Sequence, residues 1–327
     1  MTAAEPSTAM ATIYSEHVSD LVVAEQTPAA DGVVRLVLEH PDGAELPAWT
    51  PGAHVDLLLG PDLTRQYSLC GTPGERTRWR LGVLLDESGR GGSRFVHERL
   101  APGAPVAVRG PRNHFPLVAS ERYLFVAGGI GITPILPMIA EAESSGADWT
   151  LFYGGRRRSS MAFVDELAGY GDRVVLRPED EYGLLDLATI LEPRQDTLVY
   201  ACGPEGMLQA VERACAAWPS GSLHIERFSA KPVAEGAVAT TFDVVCQRSG
   251  ITVTVPEDRS ILEVVQEAGV NALSSCLEGV CGTCETAVVE GSPDHRDSLL
   301  SDEEKAAGDF MMICVSRSNG PRLVLDL

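Results

Sequence analysis

The sequence predicts a multidomain chain that combines β and α/β folds, and three observations support this prediction. Up to about Leu117, short alternating apolar stretches are broken by Pro-Gly turns, which is typical of antiparallel strands that close into a barrel. From Tyr123 onward, apolar strands alternate with helical segments, which indicates a parallel α/β sheet. After Phe228, an aperiodic stretch leads into a third region with clustered cysteines. Three domains of about 100 residues each fit the length of 327 residues.

The barrel region is expected to occupy residues 14–118, after a disordered tail at residues 1–13. The stretches VVRLVLEH and HVDLLLG have the alternation of half-buried strands, and Pro51-Gly52 and Pro73-Gly74 mark turns between strands. One helix is predicted in this region, from Gly92 to Leu100.

The second region, residues 119–229, is expected to hold the parallel sheet. The strand YLFVAGG runs into glycines, and TPILPMIAEAESSG then has helical spacing with a glycine stop. Further strands are predicted at WTLFYGG, RVVLRPE and TLVYACG, with helices between them.

A linker over residues 230–240 is expected to separate the third region, residues 241–327. The stretch TFDVVCQRSGITVTVPE predicts two strands around a Ser-Gly turn. SILEVVQEAG predicts a helix that ends at Gly269, and the cysteine cluster follows at once.

Composition excludes several classes of partner. The chain has 26 Lys and Arg against 46 Asp and Glu, and a net charge of -20 repels phosphate backbones and anionic membranes. No apolar run reaches the roughly 18 residues of a membrane span, and the N-terminus lacks the features of a signal peptide. We therefore expect a cytoplasmic, monomeric protein that binds neither nucleic acid nor membrane.

The spacing of four cysteines predicts a metal centre. Three of them form a C-x4-C-x2-C pattern and the fourth follows about thirty residues later, which is the plant-type spacing for a [2Fe-2S] cluster; they are Cys276, Cys281, Cys284 and Cys314. Gly279 and Gly282 would let the backbone wrap closely and aim N–H groups at the sulfurs. The alternative is a structural zinc site, but zinc sites usually contain two C-x2-C pairs and this region has only one. Three other cysteines, Cys70, Cys215 and Cys246, are expected to be buried, inert thiols.

Two motifs of the first region together favour a flavin site. Arg65-Gln66-Tyr67-Ser68 lies in a predicted strand and, alone, could be an ordinary strand with an exposed arginine. Gly89-Arg90-Gly91-Gly92-Ser93 precedes the predicted helix, where free N–H groups, an arginine and a hydroxyl would converge on a phosphate. Its alternative is a glycine-rich hairpin loop.

Two motifs of the second region indicate a nicotinamide site. Gly128, Gly129 and Gly131 join a strand to a helix, which allows a pyrophosphate to approach the helix N-terminus. The pattern is not a Rossmann G-x-G-x-x-G. Cys202-Gly203-Pro204 ends TLVYACG, the last predicted strand of the sheet, and ligands of parallel sheets bind at the carboxyl ends of strands, near a switch point.

The ordered motifs RQYSL, GRGGS, PRNHFPL, VAGGIGITP, YACGP, SCLEGVCGTC and ICVSR resemble the phthalate dioxygenase reductase family, a branch of the ferredoxin-NADP reductase superfamily. The resemblance covers the chain from about Tyr14 to Leu327. It implies a six-stranded antiparallel flavin-binding barrel, a parallel α/β nicotinamide-binding domain and a C-terminal β-grasp plant-type ferredoxin domain. It also implies FMN rather than FAD.

The resemblance further implies a map of the site. Arg65, Tyr67 and Ser68 would contact the flavin, with the Ser68 hydroxyl near N5, and Phe228 would pack against the ring. Ser68, Cys202 and Phe228 are the expected catalytic residues. The expected cofactor-binding residues are Arg65, Gln66, Tyr67, Ser68, Gly82, Val83, Gly89, Arg90, Gly91, Gly92, Ser93, Gly128, Gly129, Ile130, Thr133, Cys202, Gly203, Pro204 and Phe228. His54 and Asn113 could lie near the flavin or be structural.

The expected function is that of the reductase component of a multicomponent oxygenase. Hydride carries two electrons and a [2Fe-2S] cluster accepts one, and a flavin connects the two. Electrons from NADH would pass through FMN and the cluster to an external Rieske-type oxygenase or demethylase. Three alternatives stay open: electron supply to a cytochrome P450, a flavin and iron–sulfur redox sensor, and a zinc-stabilised binding protein.

The nicotinamide cofactor and the docking face are less sharply defined by the residues. The arginines of Arg156-Arg157-Arg158 could hold the 2′-phosphate of NADPH or form a solvated basic loop, and no acidic partner for a ribose is obvious. Because the resembled family mostly uses NADH, we expect NADH, with NADPH possible. Acidic residues outnumber basic ones from residue 237 onward, which indicates either an acidic docking face for a basic partner or an ordinary solvated surface.

Overall fold

The computed structural model describes residues 17–60, 63–230 and 240–327, and within these ranges it forms three successive folded regions. The expected disordered tail lies outside the described residues, as does nearly all of the expected linker. Among the described residues, no helix is both long and apolar enough to cross a membrane.

The first region is a six-stranded antiparallel sheet, as predicted, in the order β4-β3-β6-β1-β2-β5. A bridge between Leu69 and Leu81 joins its two edges and closes the barrel. Alternate residues of each strand point inward, which places Leu36, Leu57 and Trp79 in one apolar core. The elements are β1 Val18–Ala30, β2 Val33–Glu39, β3 His54–Gly60, β4 Leu63–Ser68, β5 Arg78–Leu84, α1 Gly92–Arg99 and β6 Pro105–Arg112.

The second region is a parallel five-stranded sheet in the order β11-β10-β7-β8-β9. The prediction that the strand ending at Cys202 is the last one was wrong, because the short, half-buried edge strand LHIE follows it and lacks a long apolar run. Because parallel strands are covered on both faces, β7 is buried almost throughout and has the continuous apolar sequence that this requires. Its elements are β7 Arg122–Gly128, α2 Ile132–Ser144, β8 Asp148–Gly155, α3 Val164–Leu167, β9 Val174–Pro178, α4 Glu179–Tyr182, α5 Leu187–Ile190, β10 Leu198–Cys202, α6 Glu205–Ala214 and β11 Leu223–Glu226.

The third region is a mixed five-stranded sheet in the order β13-β12-β18-β14-β16, against which the capped helix α7 packs in a β-grasp arrangement. Ser260 caps α7 by accepting a hydrogen bond from the Glu263 amide, which explains where the helix begins. The elements are β12 Phe242–Cys246, β13 Ile251–Val255, α7 Ile261–Glu267, β14 Glu285–Glu290, β15 Pro293–Asp294, α8 Asp302–Ala307, β16 Phe310–Met312, β17 Arg317–Ser318 and β18 Arg322–Leu325.

A buried group of charges lies on β3 and β6 of the barrel. Asp56 is fully buried, and its carboxylate pairs with Arg109 at 2.8 Å and with Arg112 at 2.7 Å. Burial by itself would raise the pKa of Asp56, but the charge of Arg112 and then that of Arg109 hold it below its usual value. The carboxylate therefore neutralises two arginines that are themselves largely buried.

We expect Asp56→Asn to lower the free energy of unfolding of the barrel by about 3–5 kcal/mol, because it leaves two buried guanidinium groups without their counter-charge. Denaturant unfolding followed by tryptophan fluorescence measures this loss. The exposed Asp20→Asn on β1 removes the same charge and serves as control. Equal stability of the two variants would contradict the structural role of the buried group.

Candidate functional site

The end of β4 meets the end of β11 at the seam between the barrel and the parallel sheet. The Ser68 hydroxyl donates a hydrogen bond to the carboxyl group of Glu226, and Glu226 pairs with Cys202 across adjacent parallel strands. Glu226 Oε2 is sealed from solvent and has no hydrogen-bond partner among the described residues. Burial raises the pKa of Glu226 to about 8, so the carboxyl keeps its proton at neutral pH.

Phe228 follows β11 by two residues and stands at the same seam. Its side chain is 45% exposed, which is unusual for phenylalanine and leaves a ring available to cover a planar ligand. The neighbouring Arg227 is buried and fixes this turn through ion pairs to Glu205 at 2.9 Å and to Glu212 at 2.8 Å.

The glycine loop after β7 lets the backbones of two strand ends touch. A Cβ on Gly131 would lie 2.2 Å from the Cys202 carbonyl oxygen, and one on Gly128 would lie 2.6 Å from Pro204. Gly129 has φ of +53°, which favours glycine. Thr133 Oγ1 donates a hydrogen bond to the Ile130 carbonyl at 2.9 Å, which fixes the turn from the loop into α2.

Gly82 of β5 allows the barrel to approach this loop. A Cβ at Gly82 would lie 2.8 Å from Thr133 and 3.0 Å from Phe163, so a larger residue would push the two domains apart. Val83 faces the opposite way, into the barrel core, and only its carbonyl bonds outward, to His97 at 2.9 Å. The expected role of Val83 in binding therefore rests on its backbone alone.

The glycine-rich loop before α1 gathers two arginines around a helix N-terminus. Arg65 packs against Gly92, where a Cβ would lie 2.2 Å from Arg65 Cγ. Arg65 Nη2 is buried without a hydrogen-bond partner among the described residues. Burial and then the charge of Arg90 lower the pKa of Arg65. The two guanidinium groups repel each other and lie beside the free N–H groups at the N-terminus of α1. Together, these positive groups suit the binding of an anion such as a phosphate.

The other members of this loop are already engaged. The Ser93 hydroxyl accepts a hydrogen bond from the Asp86 amide at 3.0 Å. Arg90 Nη2 donates to the Cys276 carbonyl at 2.7 Å, so its side chain reaches the cysteine region in addition to lying near Arg65. The resemblance alone gave no sign of this second contact.

The four cysteines come together as buried thiols in one pocket of the third region. Cys276 contacts Cys281 and Cys314, and Cys314 contacts Cys284. The four thiols thus form one continuous chain of contacts from Cys281 through Cys276 and Cys314 to Cys284, and four thiolates are the ligand set of a centre with two iron ions.

The loop over residues 274–284, here named the cluster loop, aims amide groups at sulfur. The Glu278 amide donates to Cys276 Sγ at 3.3 Å and the Thr283 amide to Cys281 Sγ at 3.4 Å. Gly279 and Gly282 have φ of +68° and +74°, as expected for its turns. Leu277 also has positive φ, of +61°, and no sequence rule indicated that position.

Two residues of the site were not identified from the sequence. Glu226 stands two positions before Phe228, and the only available signal was an acidic residue at the end of a short, half-buried strand. Glu181 in α4 forms an ion pair with Arg158 at 3.3 Å. It is the acidic neighbour of the loop Arg156-Arg157-Arg158 that was not found from the sequence. Residues 158 and 181 are far apart along the chain, so only the parallel sheet brings them together.

A closed antiparallel barrel with a phosphate-type loop, a parallel sheet with a glycine loop, and a four-thiol domain define a modular flavin and iron–sulfur oxidoreductase. A family model described as "2Fe-2S iron-sulfur cluster binding domain" matches residues 244–319. The chain is 46% identical over 303 residues to the phenoxybenzoate dioxygenase subunit beta of Ectopseudomonas oleovorans, covering 91% of this chain and 94% of that one.

Solved structures agree with this class. Phthalate dioxygenase reductase, described as modular for electron transfer from pyridine nucleotides to [2Fe-2S], superposes with a TM-score of 0.70 and 36% identity, covering 95% of this chain and 98% of that one. An intact type IV self-sufficient cytochrome P450 monooxygenase gives a TM-score of 0.89 and 44% identity over 95% of this chain, which spans 41% of that protein. The chain belongs to the phthalate dioxygenase reductase family.

We expect the wild-type protein to lose stability relative to Glu226→Gln as the pH rises from about 5 to about 8. The folded chain holds the Glu226 proton up to about pH 8 and the unfolded chain releases it near 4.5, so folding becomes costlier between these values. The slope is at most about 1.4 kcal/mol per pH unit. Denaturant unfolding of both proteins across this range measures it. A stability difference that does not change with pH would refute the buried proton.

Proposed function

We propose that this protein takes hydride from NADH onto FMN and passes single electrons through a [2Fe-2S] cluster to a separate Rieske-type oxygenase or demethylase. The observation that carries the proposal is the position of β4. Ser68 at its end faces the nicotinamide side through Glu226, whereas Gln66, two residues earlier, hydrogen-bonds to Ser275 of the cluster loop at 2.8 Å. One strand thus touches both the entry point and the exit point of the electrons.

The domain boundaries follow the same division. We assign residues 14–118 to flavin binding, 119–229 to nicotinamide binding and 241–327 to the cluster. FMN, when bound, supplies the conversion of a two-electron hydride into single electrons. The unpartnered Arg65 beside Arg90 supports a terminal phosphate at the glycine-rich loop, which FMN carries at the end of its ribityl chain.

The residues of the seam orient the reactants and keep water out. Glu226 is uncharged at neutral pH because of its raised pKa, so it adds no negative charge where hydride arrives. Ser68 is buried and held by that carboxyl group, so its hydroxyl has a fixed direction. Gly82 permits the close approach of barrel and sheet that would bring two cofactors face to face, and Gly131 permits the close approach of the glycine loop to the end of β10.

The partner is assigned as an oxygenase because several relatives are named as components of such systems, one of them a phenoxybenzoate dioxygenase subunit. The acidic composition of the third region favours a basic docking face on that partner. A second candidate is a cytochrome P450, which the match to a self-sufficient P450 monooxygenase supports. Electron delivery measured with a Rieske oxygenase and with a P450 in parallel distinguishes the two.

We expect the purified protein to contain about one FMN and about two iron ions per chain, and NADH to bleach both chromophores without oxygen. Cys281→Ser should keep bleaching of the flavin but lose reduction of cytochrome c, because the exit through the cluster is cut. Anaerobic NADH titration with flavin and iron quantified is the measurement.

The matched control is Cys246→Ala, which removes a buried thiol of the same domain outside the cluster loop. Stoichiometric FAD instead of FMN would refute the flavin assignment. A colourless protein that contains zinc would refute the reductase. Full reduction of cytochrome c by Cys281→Ser would leave the redox sensor as the better interpretation.

The preference for NADH has a structural basis at the end of β8. The Asp180 amide donates to the Arg156 carbonyl at 3.3 Å, which ties the arginine loop to the acidic helix α4. Glu181 then engages the Arg158 guanidinium through both of its oxygens. A carboxylate in this place competes with a 2′-phosphate for Arg158 and can accept hydrogen bonds from ribose hydroxyls.

We expect Glu181→Gln to raise the kcat/KM ratio of NADPH to NADH roughly fivefold, since an exposed ion pair is worth up to about 1 kcal/mol. Binding of 2′,5′-ADP should strengthen in parallel. Glu179→Gln removes the same charge from the same helix and has no ion pair with Arg158, so it controls for net charge. Equal effects of the two variants would show that only the overall charge matters.

A further inference from the structure

Three side chains of the barrel donate hydrogen bonds to three consecutive residues at the start of the cluster loop. All three contacts join the barrel to the third domain, which is far away along the chain. One of the three acceptors is the backbone carbonyl of Cys276, the first cysteine of the cluster. The pairs are Gln66 with Ser275 Oγ at 2.8 Å, Arg90 with the Cys276 carbonyl at 2.7 Å and Arg109 with the Ser274 carbonyl at 3.2 Å.

The donors come from three separate parts of the barrel, namely β4, the glycine-rich loop and β6. The loop segment therefore cannot pivot about one contact without breaking another. The donor on β6 is itself fixed, because Arg109 Nε donates to Asp56 at 2.9 Å and the pair is buried. We name Gln66, Arg90 and Arg109 the clasp.

Two histidines of the barrel region contact the cluster loop at its other end, near the second cysteine. The buried His54 ring hydrogen-bonds to the backbone of Cys281, and a Cβ on Gly282 would lie 2.4 Å from Nε2 of His114. The two histidine rings lie 5.8 Å apart in a stacked arrangement. The barrel thus contacts the cluster loop on both sides of the first two cysteines.

We propose that Gln66, Arg90 and Arg109 are positioning residues that hold the cluster loop at a fixed distance from the flavin. This inference rests on the proposed function. Electrons then cross from flavin to cluster in the arrangement described here, without a swing of the third domain. Because the rate of electron transfer falls steeply with distance, contacts that hold the loop set this rate without touching either reacting group.

Arg90 gives the clasp a further property. Its guanidinium flanks the phosphate position beside Arg65 and also pairs with Glu278 at 3.2 Å within the cluster loop. A phosphate and the cluster loop therefore share one side chain. Retention of FMN and seating of the loop are coupled through it.

The test uses the full-length protein loaded with FMN and iron. In Arg90→Ala at saturating FMN, we expect electrons to reach the cluster about tenfold more slowly, equivalent to about 1.4 kcal/mol. In Ser275→Ala, which removes the acceptor of Gln66 and lies outside the flavin and nicotinamide sites, the same slowing is expected, whereas reduction of the flavin by NADH should stay within about twofold of wild type and the visible spectrum of the cluster should not change. Stopped-flow absorbance separates the two steps.

A second readout does not depend on turnover. Amide hydrogen exchange of peptides that cover the cluster loop should accelerate in Arg90→Ala and in Ser275→Ala, whereas peptides of β12 and β13 should not change. Ser274→Ala is the matched control, because only the carbonyl of Ser274 takes part in the clasp. Glu278→Gln removes the ion pair and keeps the bond from Arg90 to the Cys276 carbonyl.

Faster exchange together with slower electron transfer in Arg90→Ala and Ser275→Ala, with Ser274→Ala unchanged, supports the proposal. Unchanged hydrogen exchange of the cluster loop in both Arg90→Ala and Ser275→Ala overturns it. Faster exchange with an unchanged rate of electron transfer also overturns it, because the loop would then be held without setting the rate. If NADH fails to reduce the flavin of the wild type, the proposed function fails, and the exchange experiment still decides whether the clasp holds the loop.

Discussion

The buried carboxylate of Asp56 is the charge on which the arrangement of the barrel and the iron–sulfur domain depends. It is fully buried and compensates two arginines, one of which reaches the cluster loop. Burying Arg109 without its counter-charge would cost too much free energy. An exposed arginine at this position would be too mobile to keep a fixed hydrogen bond to the cluster loop. Because Asp56 neutralises Arg109 inside the barrel, the Arg109 side chain is held in place and donates a hydrogen bond to the cluster loop at the barrel surface.

The seam between barrel and parallel sheet solves a different problem. The barrel lies close against the parallel-sheet domain because Gly82 lacks the Cβ that would press on Thr133 and Phe163, and within that domain Gly131 lacks the Cβ that would meet the Cys202 carbonyl. The Glu226 carboxyl is buried there at the cost of a raised pKa, which leaves it neutral. The seam is therefore polar in its hydrogen bonds but nearly uncharged.

Much of the molecule was predictable because its signals are local. Cysteine spacing identified the cluster site, alternation of apolar residues identified the barrel strands, and glycines after YLFVAGG marked a strand-to-helix turn. The helix predicted from Gly92 to Leu100 is observed as Gly92–Arg99. The positive φ of Leu277 could not be predicted, because leucine rarely adopts it and only the wrapping of the cluster loop imposes it.

The sequence by itself determined the three domains, the four cysteines and the phosphate-type loop, since each is encoded within a short stretch of residues. Only the tertiary structure decided which groups meet across domains: Ser68 with Glu226, Arg158 with Glu181, and Arg90 with Cys276. Each of these pairs joins residues separated by many positions, and a single sequence carries no local pattern for such a contact. Chain folding brings them together through the burial of apolar strands, and hydrogen bonds and charges then fix their geometry.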